Sequence, residues 1–148
     1  MTERKTVGEI VKGRPLYVAQ ENDSVLDAVH CMTKNRVGAL PVLAEGHMVG
    51  ILSERDVMTR VVAQGLNPTT VKVSEVMTKK VAVIEKDKIY SQALATMKQL
   101  HIRHLPIMDD EHLVGCISIR ELLEIDIESK HAEIQYLDDY IRKVESVM

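Results

Sequence analysis

Two seven-residue stretches of the chain share one arrangement of a glycine, a serine and an acid. They are Gly50–Asp56 and Gly115–Glu121, and in each the serine, Ser53 or Ser118, stands three residues before the acid. An apolar strand pattern ends at the serine, and a helix pattern begins after it. A carboxylate can accept hydrogen bonds from two vicinal hydroxyls, a serine can donate one, and a helix N-terminus favours negative charge. A ribose that carries a phosphate group fits all three features.

The same spacing is also that of a capping box, in which the serine and the acid satisfy backbone amides at a helix start. Ser53 with Asp56, and Ser118 with Glu121, fit this second interpretation equally well. Spacing alone favours the cap. Whether either carboxylate also binds a ligand has to be judged from the rest of the chain.

Composition excludes several classes of protein. The chain has 148 residues, 45% of them hydrophobic, which is enough for a sizeable core. Its 19 basic residues are outnumbered by 22 acidic ones, and it has no Trp or Phe, so a nucleic-acid surface is not expected. The start of the chain shows no signal peptide, and no apolar run approaches about 18 residues. We therefore expect a cytoplasmic protein without a membrane partner, with Cys31 and Cys116 reduced in its core.

The chain contains an internal repeat of about 60 residues. Identical residues recur 65 positions apart, and upstream of the first strand the offset becomes 66 because one copy is a residue longer. The matches that carry the repeat are Ala28 with Ala93, Met32 with Met97, Leu40 with Leu105, Pro41 with Pro106, Gly50 with Gly115, Ser53 with Ser118 and Arg55 with Arg120. We assign residues 1–66 to the first repeat and 71–125 to the second.

Each repeat has the order β-α-β-β-α, which predicts an α/β fold. The apolar patterns predict helices that begin near Asp23-Ser24 and Asp87, and a helix from Glu54 to Gln64. The predicted strands are Leu16–Ala19, Ala39–Leu43 and His47–Leu52 in the first repeat, and Val81–Ile84, His104–Met108 and His112–Ile117 in the second. Neither three-stranded sheet can bury both faces alone, so we expect the repeats to pack around a pseudo-twofold axis.

A long amphipathic helix is predicted over residues 126–148. Its apolar residues follow heptad spacing, which Lys130 interrupts: Ile127, Ile134, Leu137, Ile141, Val144 and Met148. Such a seam packs either on a second copy of the chain or on the protein's own body. We expect a homodimer contact, with docking on its own module as the alternative.

The two repeats resemble the cystathionine-β-synthase (CBS) domain family, of which a tandem pair is called a Bateman module. The resemblance spans about residues 5–125 and is carried by the segments ALPVL, GHMVGILSERD and RHLPIMDDEHLVGCISIRE. It implies a module that senses cellular energy or a cofactor. Its clefts would bind AMP, ADP or ATP, or in some members NAD or S-adenosylmethionine, and such modules often pair into a disc of four domains.

The resemblance also implies particular ligand-binding residues. The family's ribose pattern, Gly-x-x-Ser/Thr-x-x-Asp, maps onto Gly50, Ser53 and Asp56. In the second repeat it maps onto Gly115 and Ser118, but Glu121 replaces the aspartate and its longer side chain would have to retract. Further positions that match the family's phosphate or adenine contacts are Arg55, Arg120, Arg103, His104, Thr78, Lys80 and Val81. The counterparts of Arg103 and His104 are Gly38 and Ala39, so the two clefts should differ.

We therefore expect a non-catalytic sensor of an adenine nucleotide that regulates a protein the sequence does not identify. The alternative is a ligand-free scaffold whose clefts have lost their ligand. A nucleotide hydrolase is not expected because the chain has no phosphate-cradling glycine-rich loop and no paired base and nucleophile. His101 and His104 have metal-ligand spacing, but no neighbouring Cys or acid completes a set, so no metal site is expected.

Overall fold

The computed structural model describes residues 4–147, with only the backbone described at the last of these. One π-helical turn spans Met58–Val62 in the first repeat. The other elements, in chain order, are α1 (Val7–Val11), β1 (Ala19–Gln20), α2 (Val25–Asn35), β2 (Ala39–Ala44), β3 (His47–Ser53), α3 (Glu54–Val57), α4 (Val73–Val76), β4 (Ile84–Glu85), α5 (Tyr90–Leu100), β5 (His104–Asp109), β6 (His112–Ser118) and α6 (Ile119–Val147).

The strands form two three-stranded sheets of the same topology, β1-β2-β3 and β4-β5-β6. In each sheet a short first strand pairs in parallel with the middle strand, which forms an antiparallel hairpin with the third. The first hairpin turns at Glu45 and Gly46, whose φ angles are 51° and 83°. Two successive positive φ angles match the twist of the flanking strands. The predicted α/β fold with two pseudo-twofold repeats is confirmed.

Three local predictions differ from the structure. The first strand of each repeat begins later than predicted, at Ala19 and Ile84, because only two residues of each pair with the middle strand. The helix predicted over 54–64 is α-helical only through Val57. Ser24 caps α2 as expected, but Asp87 does not cap α5, because Ile89 holds the N-cap position.

The segment that precedes each repeat packs on the other repeat. Val7 and Val11 of α1 belong to the core of the second sheet, whereas Val73 and Met77 belong to the core of the first. Backbone hydrogen bonds fix both crossings: the Val7 N–H donates to the Lys88 carbonyl at 2.8 Å, and the Val73 N–H donates to the Asp23 carbonyl at 2.9 Å. The exchange joins the two repeats into one body.

Helix α6 belongs to the body only over its first part. Leu122 and Ser129 are buried, and the hydroxyl of Tyr90 donates to Asp126 Oδ1 at 3.1 Å. Every side chain from 130 to 146 is exposed. At a rise of about 1.5 Å per residue, this part extends about 25 Å from the body. Within the described residues the helix therefore does not dock on its own module; Met148 lies outside them. None of the described helices is long and apolar enough to cross a bilayer.

Candidate functional site: two clefts between the repeats

A close backbone crossing brings the second repeat onto strand β3. Ile51 and Thr78 exchange both backbone hydrogen bonds, each 2.9 Å long. Gly50 makes this approach possible, because a Cβ at that position would lie 2.6 Å from Met77 Sδ and 2.8 Å from the Thr78 carbonyl oxygen. The glycine of the first repeat's motif therefore has a packing role, and that packing places Thr78 beside the end of β3.

The first cleft, which we call the Asp56 cleft, has a volume of about 210 Å³. It lies where the end of β3 and the start of α3 meet the segment after α4 and the start of β5. Eight of the residues singled out from the sequence line it: Ser53, Arg55, Asp56, Thr78, Lys80, Val81, Arg103 and His104.

Asp56 uses its two carboxylate oxygens differently. Oδ2 accepts from the Ser53 N–H at 2.9 Å while Ser53 Oγ accepts from the Asp56 N–H at 3.1 Å, so the capping box is present. Oδ1 accepts only a long hydrogen bond from the Thr78 hydroxyl, at 3.4 Å, with Arg60 Nε at 3.9 Å. Since a carboxylate oxygen can accept more than one hydrogen bond, Oδ1 retains capacity for a ligand hydroxyl. The cap and a ligand contact are thus compatible in this residue.

The second cleft, the Glu121 cleft, has a volume of about 250 Å³ and is lined by Ser118, Glu121 and His104, among others. Here the protein engages both oxygens of the acid. Glu121 Oε1 accepts from the Ser118 N–H at 3.4 Å and from the Ser118 hydroxyl at 3.3 Å, and Oε2 pairs with the guanidinium of Arg14. The longer side chain pairs with a cation of the first repeat, whereas Asp56 contacts the second repeat through the Thr78 hydroxyl.

Two cations of the Glu121 cleft, Arg14 and Arg36, are not among the residues predicted from the sequence. The repeat itself held the signal. Displacement by 66 positions carries Lys80 onto Arg14, and displacement by 65 carries His101 onto Arg36. Gly38 and Ala39 line this cleft as well, so it lacks side-chain counterparts of Arg103 and His104 at those positions.

Arg120 lies apart from both clefts. It lines a larger central cavity of about 810 Å³, together with Arg36, Arg103 and His104. Its side chain is 88% exposed and pairs with Glu124 on the next turn of α6 at 3.5 Å. The structure therefore brings Ser53, Arg55 and Asp56 of the first motif into one cleft, whereas Arg120 and Glu121 of the second motif line different cavities.

His104 belongs to the walls of both clefts and of the central cavity. Burial lowers the pKa of its imidazole, an effect that Arg103 reinforces and that the carboxylates of Glu54 and Glu121 oppose. Burial also raises the pKa of the Cys116 thiol, which lines the Glu121 cleft, to about 12. Burial therefore favours a neutral imidazole in the shared wall and a neutral thiol in the Glu121 cleft.

The described residues contain no cluster of three or more His, Cys, Asp or Glu side chains that could hold a metal ion. The side-chain polar groups of the two clefts are instead carboxylates, hydroxyls and several cations; the carboxylates are Glu54 and Asp56 in the first cleft and Glu121 in the second. Such a set suits a ligand with hydroxyls and a negatively charged group.

Comparison with known proteins agrees with this architecture. A family model of the CBS domain matches residues 7–63 and 73–128. The CBS domain-containing protein CBSX3, mitochondrial, of Arabidopsis thaliana is 32% identical over 144 residues, which are 93% of this chain and 69% of the relative.

Solved structures are similar over most of the chain. The structure of a protein with CBS domains from Burkholderia ambifaria has a TM-score of 0.77 at 35% identity and covers 83% of this chain and 94% of its own. The CBS domain pair of protein MJ0100, solved with 5′-methylthioadenosine and S-adenosyl-L-methionine, has a TM-score of 0.72 at 24% identity and covers 84% of this chain and 97% of its own.

Proposed function

The chain belongs to the CBS domain family, and from this premise we propose that it is a non-catalytic regulatory module that binds an adenine nucleotide in the Asp56 cleft. The observation that carries the proposal is the position of Asp56. One of its oxygens completes the helix cap, and the other faces the second repeat with a long hydrogen bond to Thr78 and with Arg60 Nε at 3.9 Å. A ribose hydroxyl that donates to Oδ1 would join the two repeats.

The rest of the cleft suits the other parts of a nucleotide. Ile51, Val81 and Ile102 provide aliphatic walls for a purine. Arg55 and Arg103 lie on the same cleft and can neutralise phosphate oxygens. The protein MJ0100 is described with two adenosyl compounds, which supports adenosine as the shared element. The cations favour AMP, ADP or ATP over S-adenosylmethionine, with NAD as a further phosphorylated candidate.

We further propose that only the Asp56 cleft binds the nucleotide. In the Glu121 cleft, a ribose hydroxyl would compete with Arg14 and Ser118 for the carboxylate. At Asp56 Oδ1 the corresponding cation, Arg60, stays 3.9 Å away, so this oxygen is the more accessible to a ligand hydroxyl. The Arg14–Glu121 pair would therefore take the place proposed for a ribose in the other cleft.

The regulatory step would be a shift between two relative positions of the repeats. A ligand that contacts Asp56 in one repeat and Arg103 in the other binds better when the cleft is closed, and therefore populates that state. Helix α6 begins at the Glu121 cleft and extends away from the body, so it can transmit the change. We propose that the module acts as a homodimer in the cytoplasm and that a partner protein detects the altered geometry.

One observation favours the alternative, a scaffold that binds no nucleotide. Arg14 and Glu121 already satisfy each other, as expected of a cleft that has lost its ligand. In that case the exposed α6 would be the functional surface.

A thermal-shift and calorimetry panel with AMP, ADP, ATP, NAD and S-adenosylmethionine tests the proposal, on protein shown to be free of co-purified nucleotide. At about 100 times its dissociation constant, the ligand adds about 2.7 kcal/mol of stability, a rise of roughly 5 to 10 °C in Tm. At the same ligand concentration we expect Asp56→Asn to reduce the rise by about half or more, and Glu121→Gln, the matched change in the second cleft, to preserve it. A flat panel with the wild type would support the scaffold.

A further inference from the structure

The exposed part of α6, residues 130–146, is a helix without tertiary contacts in the single chain. Helical stability in proteins comes mostly from packing of an apolar face. Here that face consists of Ile134, Leu137, Ile141 and Val144, which are between 41% and 63% exposed and follow heptad positions a and d. An uncovered seam of this kind needs a partner helix.

We propose that this segment pairs with the same segment of a second chain in the antiparallel orientation. The inference rests on the proposed homodimer and adds its geometry. The two helices would lie side by side with a twofold axis at the level of residue 139. The two modules would then sit at opposite ends of the helix pair.

Lys130 disfavours the parallel orientation. It occupies a d position, so in a parallel pair it would face the partner's Lys130 inside the seam. The flanking positions add a second conflict, because Glu133 at g would lie against the partner's Asp138 at e on both sides of the pair. Like charges in these positions oppose pairing.

The antiparallel orientation removes both conflicts. Its layers join Ile134 to the partner's Val144 and Leu137 to the partner's Ile141, and Lys130 moves to the end of the overlap near solvent. His131 then lies against the partner's Glu145 on both sides. One acidic pair remains, at Asp138 near the axis. The repulsion between the two Asp138 carboxylates is reduced because Arg142 on the same helix pairs with Asp138 at 3.2 Å.

The register also matches the length of helix that the body leaves free. With these layers, residue 131 of one chain is level with residue 147 of the other. The overlap therefore begins directly after Ser129, the last residue of α6 that is buried against the body. A shift by one heptad toward the body would instead bring Lys130 into the middle of the seam.

The orientation determines how far apart the modules are. Ser129 lies ten residues from the axis, so the two Ser129 residues of an antiparallel pair are about 30 Å apart along the helices. In a parallel pair they would be separated only by the distance between neighbouring helix axes, about 8 to 10 Å.

Cysteine cross-linking of the full chain, without added nucleotide, tests the orientation. We introduce Tyr140→Cys, a g position next to the proposed axis, or Ile134→Cys, an a position about 15 Å from its own copy in an antiparallel pair. A short bis-maleimide should cross-link the Tyr140→Cys protein into a covalent dimer well above the wild-type background and leave the Ile134→Cys protein at background. Preferential cross-linking of Ile134→Cys would show the parallel orientation and overturn the inference, and so would the absence of cross-linking in both variants.

Native mass spectrometry separates this inference from the proposed dimer. We expect Leu137→Glu to give mainly monomer, and Tyr136→Glu, a control on the same helix at a c position outside the seam, to leave the dimer intact. A wild-type monomer would overturn the proposed dimer itself. A dimer that survives Leu137→Glu would overturn only the helix pairing, and nucleotide binding is measured independently of both.

Discussion

Asp56 and Thr78 meet at the junction of the two repeats, where the Thr78 hydroxyl donates to Asp56 Oδ1 at 3.4 Å. The contact joins a helix start in the first repeat to the segment that leads into the second. The same carboxylate caps its own helix through Oδ2. One aspartate is therefore both a local structural element and part of the wall of an inter-repeat cleft, and its two roles can be separated by substitution.

The Asp56→Asn and Asp56→Ala variants separate these roles. Asparagine keeps an oxygen for the Ser53 N–H but loses the charge, so we expect a free energy of unfolding within about 1 kcal/mol of wild type and a nucleotide affinity lower by tenfold or more. Alanine removes the cap as well and should cost a further 0.5 to 2 kcal/mol or so. Urea denaturation and calorimetry measure the two quantities. Unchanged affinity in Asp56→Asn would show that the carboxylate only caps.

Gly50→Ala should destabilise the junction. The new Cβ would overlap Met77 Sδ and the Thr78 carbonyl oxygen, and the backbone group cannot move without breaking its hydrogen bond to Ile51. We expect a loss of about 1 to 3 kcal/mol in chemical denaturation.

Gly38→Ala is the matched control for that substitution. Its Cβ would lie 3.1 Å from the ends of the Glu54 and His104 side chains, which can rotate away. Its cost should therefore be below about 1 kcal/mol. Equal losses in the two variants would mean that the close crossing is not what requires Gly50.

The stability of the protein should depend on pH through His104. Its pKa is lowered from 6.5 in the folded state, so the unfolded chain binds more protons in the window between the lowered value and 6.5. The free energy of unfolding should be greatest above about pH 6.5 and fall as the pH decreases through that window. In His104→Gln this part of the pH dependence should disappear. Parallel pH profiles for the two proteins would show that other groups are responsible.

Nucleotide binding should favour the protonated form of His104, whereas folding favours the neutral form. A phosphate group in the cleft stabilises the imidazolium against its burial, so affinity for ATP should increase as the pH falls from 8 to 6. The charges of Glu54, Arg103 and Glu121 also shift the pKa of the His104 imidazole. All three residues are present both in the free protein and in the nucleotide complex. Calorimetry at several pH values on wild type and His104→Gln measures the effect. If affinity depends on pH in the same way in both proteins, His104 does not contact the phosphate.

The stoichiometry of binding should be one nucleotide per chain. Arg14 pairs directly with the Glu121 carboxylate, whereas Asp56 Oδ1 has only long contacts, with Thr78 at 3.4 Å and Arg60 at 3.9 Å. Titration calorimetry should give one site in wild type, one weakened by tenfold or more in Asp56→Asn and one of unchanged affinity in Glu121→Gln. Two sites in wild type that fall to one in Glu121→Gln would contradict the proposed difference between the clefts.

Local patterns in the sequence determined much of this protein. The internal repeat is visible as identical residues 65 positions apart. Both hairpins, the Ser24 cap and the two serine–acid helix starts depend on residues within a few positions of one another, so spacing alone predicts them. The error at Asp87 also concerns a local contact. Helix α5 is capped by Gln92 and not by Asp87, because the Gln92 side chain accepts from the Ile89 N–H at 3.0 Å.

The tertiary structure decided which segments meet. The lead-in segments exchange between repeats, and Arg14 reaches Glu121 over a separation of 107 residues, because packing of the two sheets brings those segments together. Likewise, the heptad pattern of α6 was compatible with a helix packed on its own module and with a helix that extends from the module toward a second chain. The helix projects because its contact with the body ends at Ser129, and the seam beyond that residue has no surface of its own module against which to pack.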